Sequence, residues 1–472
     1  MQIVPTTFLA LAVIVALAVK GPYRGLWLFL AVTPFGAAAA FNLPAAGGAS
    51  IIMRDFCALA LFVLLWMQKD APARLLGSMR PFRPGFYLLL LVVFCTVAAL
   101  FFPRLFVGQT EVFAIARVKN QSSIVSIPLR PTTGNLTQLF RIYIDAAAFF
   151  ALATVFRQHP DGKVVVKGMA AATFVHVGLG ILDVLSHDVG LPQLLDFLRT
   201  ANYAMLTEVS MAGLKRMVGG FPEASAFGYY TLGLFGFWLH YWLRAGRSAL
   251  AAWCLLLTAF VLVRSTSSSA YVAAMAFLVA YAGFAVARHL DRRINRRSAA
   301  LTVGVAVTLW LAFLVLVAAY ELVGPVSDFL NRALFDKLGT ASGVERMSWN
   351  AQAWVNFTET WLMGAGLGSM RASNWLLACL GSIGLIGTAL FAGFFASLGR
   401  APAPAQLDPD RAAAIGGLKA GCFALLISAM LTAPTPDLGV FFFALAGLAS
   451  GLSRGAVIES RRELHRGMRD DW

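Results

Sequence analysis

The chain has 472 residues, 59% of them hydrophobic and 13% charged, with a formal charge of +15, and its mean hydropathy is +0.73. A soluble enzyme of this length carries more charge and shorter, more periodic apolar faces, so that class is excluded. The basic excess does not point to nucleic acid, because Lys and Arg gather in alternate short connections between apolar blocks, a pattern that belongs to membrane topology.

The apolar blocks, each about 17 to 25 residues and long enough to cross a bilayer as a helix, predict roughly thirteen spans. Their centres fall near residues 11, 33, 59, 94, 147, 174, 235, 256, 278, 309, 385, 422 and 445. Blocks this long without alternation suit helices and not barrel strands, so the expected fold is an all-α polytopic transmembrane bundle. The opening MQIVPTT has no positive charge ahead of its apolar run and reads as a retained first span, not a cleaved signal. The second block, TPFGAAAAFNLPAAGG, is interrupted by Gly, Ala and Pro, and the eighth is short and ends at Arg264.

The basic connections are Lys20/Arg24, Lys69 to Arg83, Arg157/Lys163, Arg244/Arg247, Arg288 to Arg297 and the tail from Arg454. By the positive-inside bias they lie in the cytoplasm with the C-terminus, which places the N-terminus outside. The tail SRRELHRGMRDDW (within 454–472) suits an anionic lipid surface. Residues 399–414, GRAPAPAQLDPDRAAA with its flanks, read as a cytoplasmic linker, and no internal repeat is present, so residues 1–472 form one integral membrane domain. Cys57, Cys95, Cys254, Cys379 and Cys422 all fall inside apolar blocks at no metal or disulfide spacing. Ionisable residues also fall within spans: Arg54 and Asp55, Arg141 and Asp145, Lys167, His176 and Asp183. Such groups mark either a transport pathway or pairing between helices.

Three long connections then face outward: 103–137, 185–225 and 321–373. The first holds two alternating β-prone runs around Lys119 to Ser122, the pattern of a hairpin, and its Arg104, Arg117, Lys119 and Arg130 break the inside bias. In the second, Leu194, Leu195 and Leu198 predict a helix lying at the interface. In the third, Ser327 is placed to cap a helix whose Phe329, Leu330, Ala333, Leu334 and Leu338 share a face. A second helix follows a Ser342/Glu345 capping box, with Met347, Asn350, Ala351, Trp354 and Phe357 at helical spacing.

The outward loops carry arginines beside glycine and serine turns: Arg216 in KRMVGGFPEAS, Arg264 in RSTSSSAY, Arg346 in GVERMSW and Arg371 in GLGSMRASN. A guanidinium is a planar, permanently charged fork that matches phosphate oxygens bidentately. Several at one membrane face suit a lipid diphosphate at headgroup level. Neighbouring glycines would let backbone N–H groups approach the same anion, and a helix beginning at Ser373 or Asn374 would aim its positive end there. Glu223 adds a carboxylate placed either to take a proton from a sugar hydroxyl or to pair with one of these arginines. The outward carboxylates Asp188, Asp196, Glu208, Glu345 and Glu359 are scattered and form no D-x-D pair, and His187 beside Asp188 is the one outward His/Asp neighbour, so no metal site is expected.

This order of motifs resembles the superfamily of O-antigen ligases and Wzy-type polysaccharide polymerases, membrane glycosyltransferases of the GT-C class. The likeness covers mainly residues 210–395. It runs from an Arg-Gly-Phe turn (Arg216, Gly219, Gly220, Phe221, followed by Pro222, Glu223, Ala224 and Ser225) through the Ser/Thr-rich RSTSSSAY to Arg346 with Trp349. A GxGxG turn (Gly364, Gly366, Gly368) follows, then a polar pair entering a span. In the ligases that pair is His followed by a small polar residue, nine residues, Gly, two residues and Gly. Here Ser373 and Asn374 precede Gly384 and Gly387 at the same spacing, and the histidine is absent. The GLGSMRAS wording and Glu223 resemble the exopolysaccharide-polymerase branch.

The resemblance implies a polymerase that joins polyprenyl-diphosphate-linked repeat units by inverting, metal-independent transfer at the periplasmic face of a bacterial inner membrane, with no cofactor. It implies Arg216, Arg346, Arg371 and Glu223 as catalytic groups, and Arg264, Ser225, Ser373, Asn374, Gly219 and Gly220 as binders of diphosphate or substrate. Partners would be the lipid-linked donor and acceptor, membrane lipids, and the flippase and chain-length regulator of the same pathway, with no nucleic acid. The base stays open between Glu223 and a substrate-assisted route. A ligase that moves finished glycan to lipid A-core or protein, and a flippase for lipid-linked sugars, are the alternatives.

Overall fold

The computed structural model describes residues 1–470 except 45–47, 119–120, 204, 212, 247, 405–407 and most of 291–340. It is an all-α polytopic bundle. Among the described residues eight helices are long and apolar enough to cross a membrane, and they match the expected centres near 11, 94, 147, 174, 278, 385, 422 and 445. In chain order the helices are α1 Pro5–Arg24, α2 Leu26–Val32, α3 Met53–Trp66, α4 Ala71–Leu76, α5 Pro84–Leu100, α6 Phe102–Leu105, α7 Thr133–Gln158 and α8 Gly162–Asp188. They continue as α9 Ala224–Arg244, α10 Ala249–Arg264, α11 Ser268–Leu290, α12 Ala341–Glu359, α13 Trp375–Arg400, α14 Pro409–Thr432 and α15 Gly439–Asp470.

Helix α7 is the centre of the bundle, with 83% of its most apolar window buried. Its partner α15 carries glycine at 447, 451 and 455, four residues apart, so that part of one helix face has no side chains. A Cβ at Gly447 would lie 2.6 Å from the Phe149 carbonyl oxygen, and one at Gly451 2.8 Å from that of Ala153. Lipid offers apolar side chains as good an environment as protein does, so close backbone approach is what favours this pairing. The five cysteines are buried and form no disulfide.

Four expectations are corrected here. The second apolar block is not a span: α2 is seven residues long, and the chain then turns at Thr33–Pro34 into an antiparallel hairpin, β1 Ala39–Leu43 with β2 Ala49–Ile52. Pro34 and Gly36 break the helix, and the hairpin's backbone finds partners in protein: Thr6 and Thr7 hydroxyls donate to the Ala39 and Ala40 carbonyls, and the Ala37 amide donates to Gly220 O. Irregular backbone at such depth is tolerated only when satisfied this way. The blocks near 59 and 256 form helices of only 14 and 16 residues. The interfacial helix expected from Leu194, Leu195 and Leu198 is a single 3-10 turn, Pro192–Leu195, cut short because the chain dives to bury Arg199. In the third loop, α12 forms over Ala341–Glu359, which puts Ser342 inside the helix and not at its cap, and Glu345 accepts from the Trp349 indole at 3.2 Å. The face expected over Phe329 to Leu338 and the span near 309 lie outside the described residues.

The hairpin expected in the first loop forms as β3 Glu111–Val118 against β4 Gln121–Pro128. Its base docks on α12: Asn356 Nδ2 donates to Thr110 Oγ1 at 2.8 Å, Gln352 Nε2 donates to Glu111 O at 2.6 Å, and Phe113 meets the Trp349 ring edge to face, 5.6 Å between centroids. The connections holding Lys20/Arg24, Lys69 to Arg83 and Arg157/Lys163 meet at one end of the bundle, where Tyr23 beside Arg24 donates to Asp161 and Arg157 reaches the Arg74 carbonyl. The loop arginines 216, 264, 346 and 371 lie at the other.

Candidate functional site

The Arg-Gly-Phe turn is built around one carboxylate. Asp183, on the last turns of α8 and 0% exposed, accepts from Lys215 Nζ at 2.7 Å and from the amides of Val218 and Gly219 at 2.8 and 3.1 Å. Arg199 Nη2 donates to the same carboxylate, while its Nε and Nη2 also reach Gly219 O. A buried charge is tolerated only when paired and fully hydrogen-bonded, and here two cations and two amides converge on one anion. The turn fits because Gly219 adopts φ +55° and because a Cβ at Gly220 would sit 2.6 Å from Pro34 O. The Gly219 amide is therefore committed to Asp183 and not offered to a ligand. Asp183, one of the ionisable groups within a span, is a positioning residue for this turn.

Arg216 follows Lys215 directly. Arg264 Nη1 donates to the Lys215 carbonyl at 2.9 Å, so Arg264 braces the turn from the end of α10. The Arg216 Nε is buried and receives no partner among the described residues. Burial pulls the Arg216 guanidinium below its usual range; Glu223 opposes the shift and the nearby positive charge of Arg346 reinforces it. Arg216, Glu223 and Arg346 thus share one patch. Glu223 is the N-cap residue of α9, extended at φ −156°, and accepts a hydrogen bond from the Ser225 hydroxyl.

The second half of the patch is set by α12 and the chain entering α13. The Arg371 guanidinium lies over the Trp349 ring, 5.9 Å from its centroid, in the range where a cation is attracted to an indole face. Arg346 is one helical turn from Trp349, so the indole spaces the two exposed arginines. The Ser373 amide donates to Asn350 Oδ1 at 2.7 Å, tying the α13 entrance to α12. Asn374 is the N-cap of α13: its Oδ1 accepts from the Leu377 amide at 3.1 Å and its Nδ2 donates to Met430 O at 2.7 Å. Its side chain is thereby engaged in holding the helix end.

The GxGxG turn has a purpose different from cradling an anion. Helix α13 breaks at Gly384, φ +63°, and the Leu385 amide, which would close the helical turn on Gly381, donates instead to Leu362 O at 2.9 Å. The carbonyls of Gly381 and Ser382 then accept from the amides of Ala365 and Gly366 at 2.7 and 3.0 Å. Gly364 packs so closely that a Cβ would lie 2.7 Å from the Gly384 nitrogen, and one at Gly368 would lie 2.4 Å from Gly134 O on α7. A Cβ at Gly384 itself would lie 2.4 Å from Leu362 O, in a backbone region that costs a side chain ~1–3 kcal/mol before any clash. Gly384→Ala is therefore expected to cost at least about 3 kcal/mol, read as a lowered midpoint of thermal unfolding in detergent.

Beside this entrance lies a second polar cluster. Arg54 and Asp55 pair at 3.5 Å, and Arg141 reaches Asp437, not Asp145, at 3.9 Å. Asp145 is 2% exposed and faces Asp437 and Asp55. Tyr203 faces Arg54 and Arg141, and burial pushes its hydroxyl up to about 12. The cluster adjoins the patch because Ala372 and Trp375 hydrogen-bond to the Pro434 and Pro436 carbonyls just ahead of Asp437. Sequence reading passed over Asp437 and Tyr203; the usable signal for the first was a lone carboxylate in PTPDLG, a short turn opening an apolar helix. His176 is buried, bonded to Thr231 at 2.7 Å and stacked on Phe227. His187 lies 3.4 Å from Glu208, and no group of three metal-binding side chains occurs among the described residues.

No protein-family model matches the chain, and neither does any curated protein. The reading of the site therefore rests on its chemistry.

Proposed function

We propose that the protein is a membrane glycosyltransferase that polymerises lipid-diphosphate-linked oligosaccharide repeats, with its site on the periplasmic side of a bacterial inner membrane. The observation that carries this reading is that Glu223 and Arg346 lie close enough to act electrostatically on Arg216, while Arg371 lies over Trp349 on the helix that carries Arg346, four residues drawn from three separate stretches of chain. A partly buried guanidinium without a carboxylate bonded to its Nε is suited to an incoming anion, and paired arginines suit a diphosphate.

In the proposed reaction an acceptor hydroxyl attacks the anomeric carbon of the donor's first sugar. The bond to the diphosphate oxygen breaks, its electron pair leaves with the lipid diphosphate, and the configuration inverts. The arginines stabilise the charge that grows on that oxygen. The hydroxyl proton passes to Glu223 or to the departing diphosphate. Glu223→Gln separates the two routes: a general base contributes about a hundredfold or more, so a smaller loss, below roughly tenfold, assigns the proton to the diphosphate.

Transfer of finished glycan to another acceptor is the second reading, favoured by the retained spacing from Ser373 to Gly384, the residue at which α13 breaks. Purified protein incubated with a polyprenyl-diphosphate oligosaccharide tests both. A dimer of repeats formed without added nucleotide supports polymerisation, transfer only to an added lipid A-core acceptor supports the ligase, and no transfer to either acceptor removes the transferase reading.

A further inference from the structure

A cavity of about 220 Å³ opens at the end of the bundle opposite the arginine patch, between the start of α5, the end of α7 and the middle of α15. Arg80, Arg83, Arg157, Arg454 and Arg461 line it together with three serines, and no Asp or Glu does among the described residues. Arg454 faces Arg80, Arg83 and Arg461, and Arg157 faces Arg80 and Arg454. Two acidic groups on neighbouring stretches are engaged elsewhere: Asp408 and Glu459 both pair with Arg411.

This crowding has a fixed frame. Arg157 crosses Gly77, where a Cβ would lie 2.0 Å from its Nη1, and its Nη2 donates to Arg74 O at 3.0 Å. Ser453 anchors the other wall by donating to Pro402 O at 2.5 Å. The N-terminus of the 17-residue α5 ends at the cavity, where Pro84 lines it, and adds its partial positive charge. Five like charges held together repel one another unless a multiply charged anion neutralises them. A carboxylate brings one charge; a phosphate ester brings up to two and matches the guanidinium fork.

We propose that this cavity is a binding site for a phosphate group, either the headgroup of an anionic lipid or a soluble phosphate. The first source fits a basic pocket between spans at the end that carries the basic connections; the second fits a cavity open to solvent. The site is independent of the arginine patch, and neither depends on the other.

Full-length protein in detergent is titrated with short-chain phosphatidic acid, short-chain phosphatidylcholine and inorganic pyrophosphate, and binding is read by native mass spectrometry and by the shift in unfolding midpoint. Two double variants, Arg80→Gln with Arg454→Gln and Arg83→Gln with Arg461→Gln, avoid the packed Arg157. Their unfolding midpoints without ligand check that both fold. Each double variant is expected to weaken the preferred probe about twenty-five-fold, roughly fivefold for each arginine removed, with phosphatidylcholine unaffected. Loss of phosphatidic acid binding assigns a lipid headgroup, and loss of pyrophosphate binding assigns a soluble phosphate. The proposal is overturned if wild-type protein binds neither probe better than phosphatidylcholine, or if both double variants bind within about twofold of wild type.

Discussion

Arg216→Ala is expected to lower the rate of repeat joining about a hundredfold to a thousandfold, the usual effect of removing one preorganised donor from a developing oxyanion. The protein level should not change, because the residue's own side chain is not what holds its turn. That work is done by Asp183, Lys215, Arg199 and Gly219 beneath it, and Arg264 contacts the turn through the Lys215 carbonyl. In cells the variant should accumulate single repeats on the lipid carrier while the membrane content of the protein stays at wild type. Arg216→Lys keeps the charge but loses the fork, so it should recover only part of the activity. Near-normal polymer from Arg216→Ala would remove the guanidinium from the chemistry.

Asp183→Ala should have the larger structural effect. It leaves Arg199 and Lys215, each with a side chain 3% exposed, without their shared counter-charge, and frees the Val218 and Gly219 amides from their acceptor. Removing one partner of a buried ion pair costs about 3–5 kcal/mol, and for a marginally stable protein this is a large share of the total. The expected result is little folded protein in the membrane and a strongly depressed unfolding midpoint in what remains. Asp183→Asn, similar in size but uncharged, should also be depressed. Wild-type accumulation of Asp183→Ala with a midpoint shifted by less than about 2 °C would show that the turn stands without this hub.

The two variants together separate a residue that does chemistry from one that positions it. A catalytic guanidinium is lost without loss of fold, whereas the carboxylate behind it takes the whole loop along.

Much of the bundle was legible because a span needs only length and hydrophobicity, which blocks such as 133–158 and 162–188 display without any partner. Arg216, Arg346 and Arg371 stood out for a similar reason: each sits beside glycine or serine in a long connection, away from the short basic ones. The first-loop hairpin announced itself by alternation. The second apolar block misled because Ala39 and Phe41 are equally apolar whether they meet lipid or, as here, protein: Ala39 packs with Ile52 and Ala201, and Phe41 meets the Phe56 ring. Glycine is ambiguous in the same way. A missing Cβ serves an approaching anion and an approaching backbone alike, and only the hydrogen bonds from Ala365 and Gly366 to α13 reveal which is the case for the GxGxG turn. The task of Asp183 was hidden because Arg199 and Val218, its partners, lie 16 and 35 positions away along the chain.

The fracture in α13 at Gly384 has an evolutionary corollary. The helix and the loop ahead of it exchange bonds reciprocally: Leu385 gives its amide to Leu362, while Ala365 and Gly366 give theirs to Gly381 and Ser382. Neither element is complete alone, so they must be inherited as a pair. A descendant that straightened the helix would strand two amides of the loop and forfeit the scaffold on which Arg371 stands, which makes this junction resistant to piecemeal change.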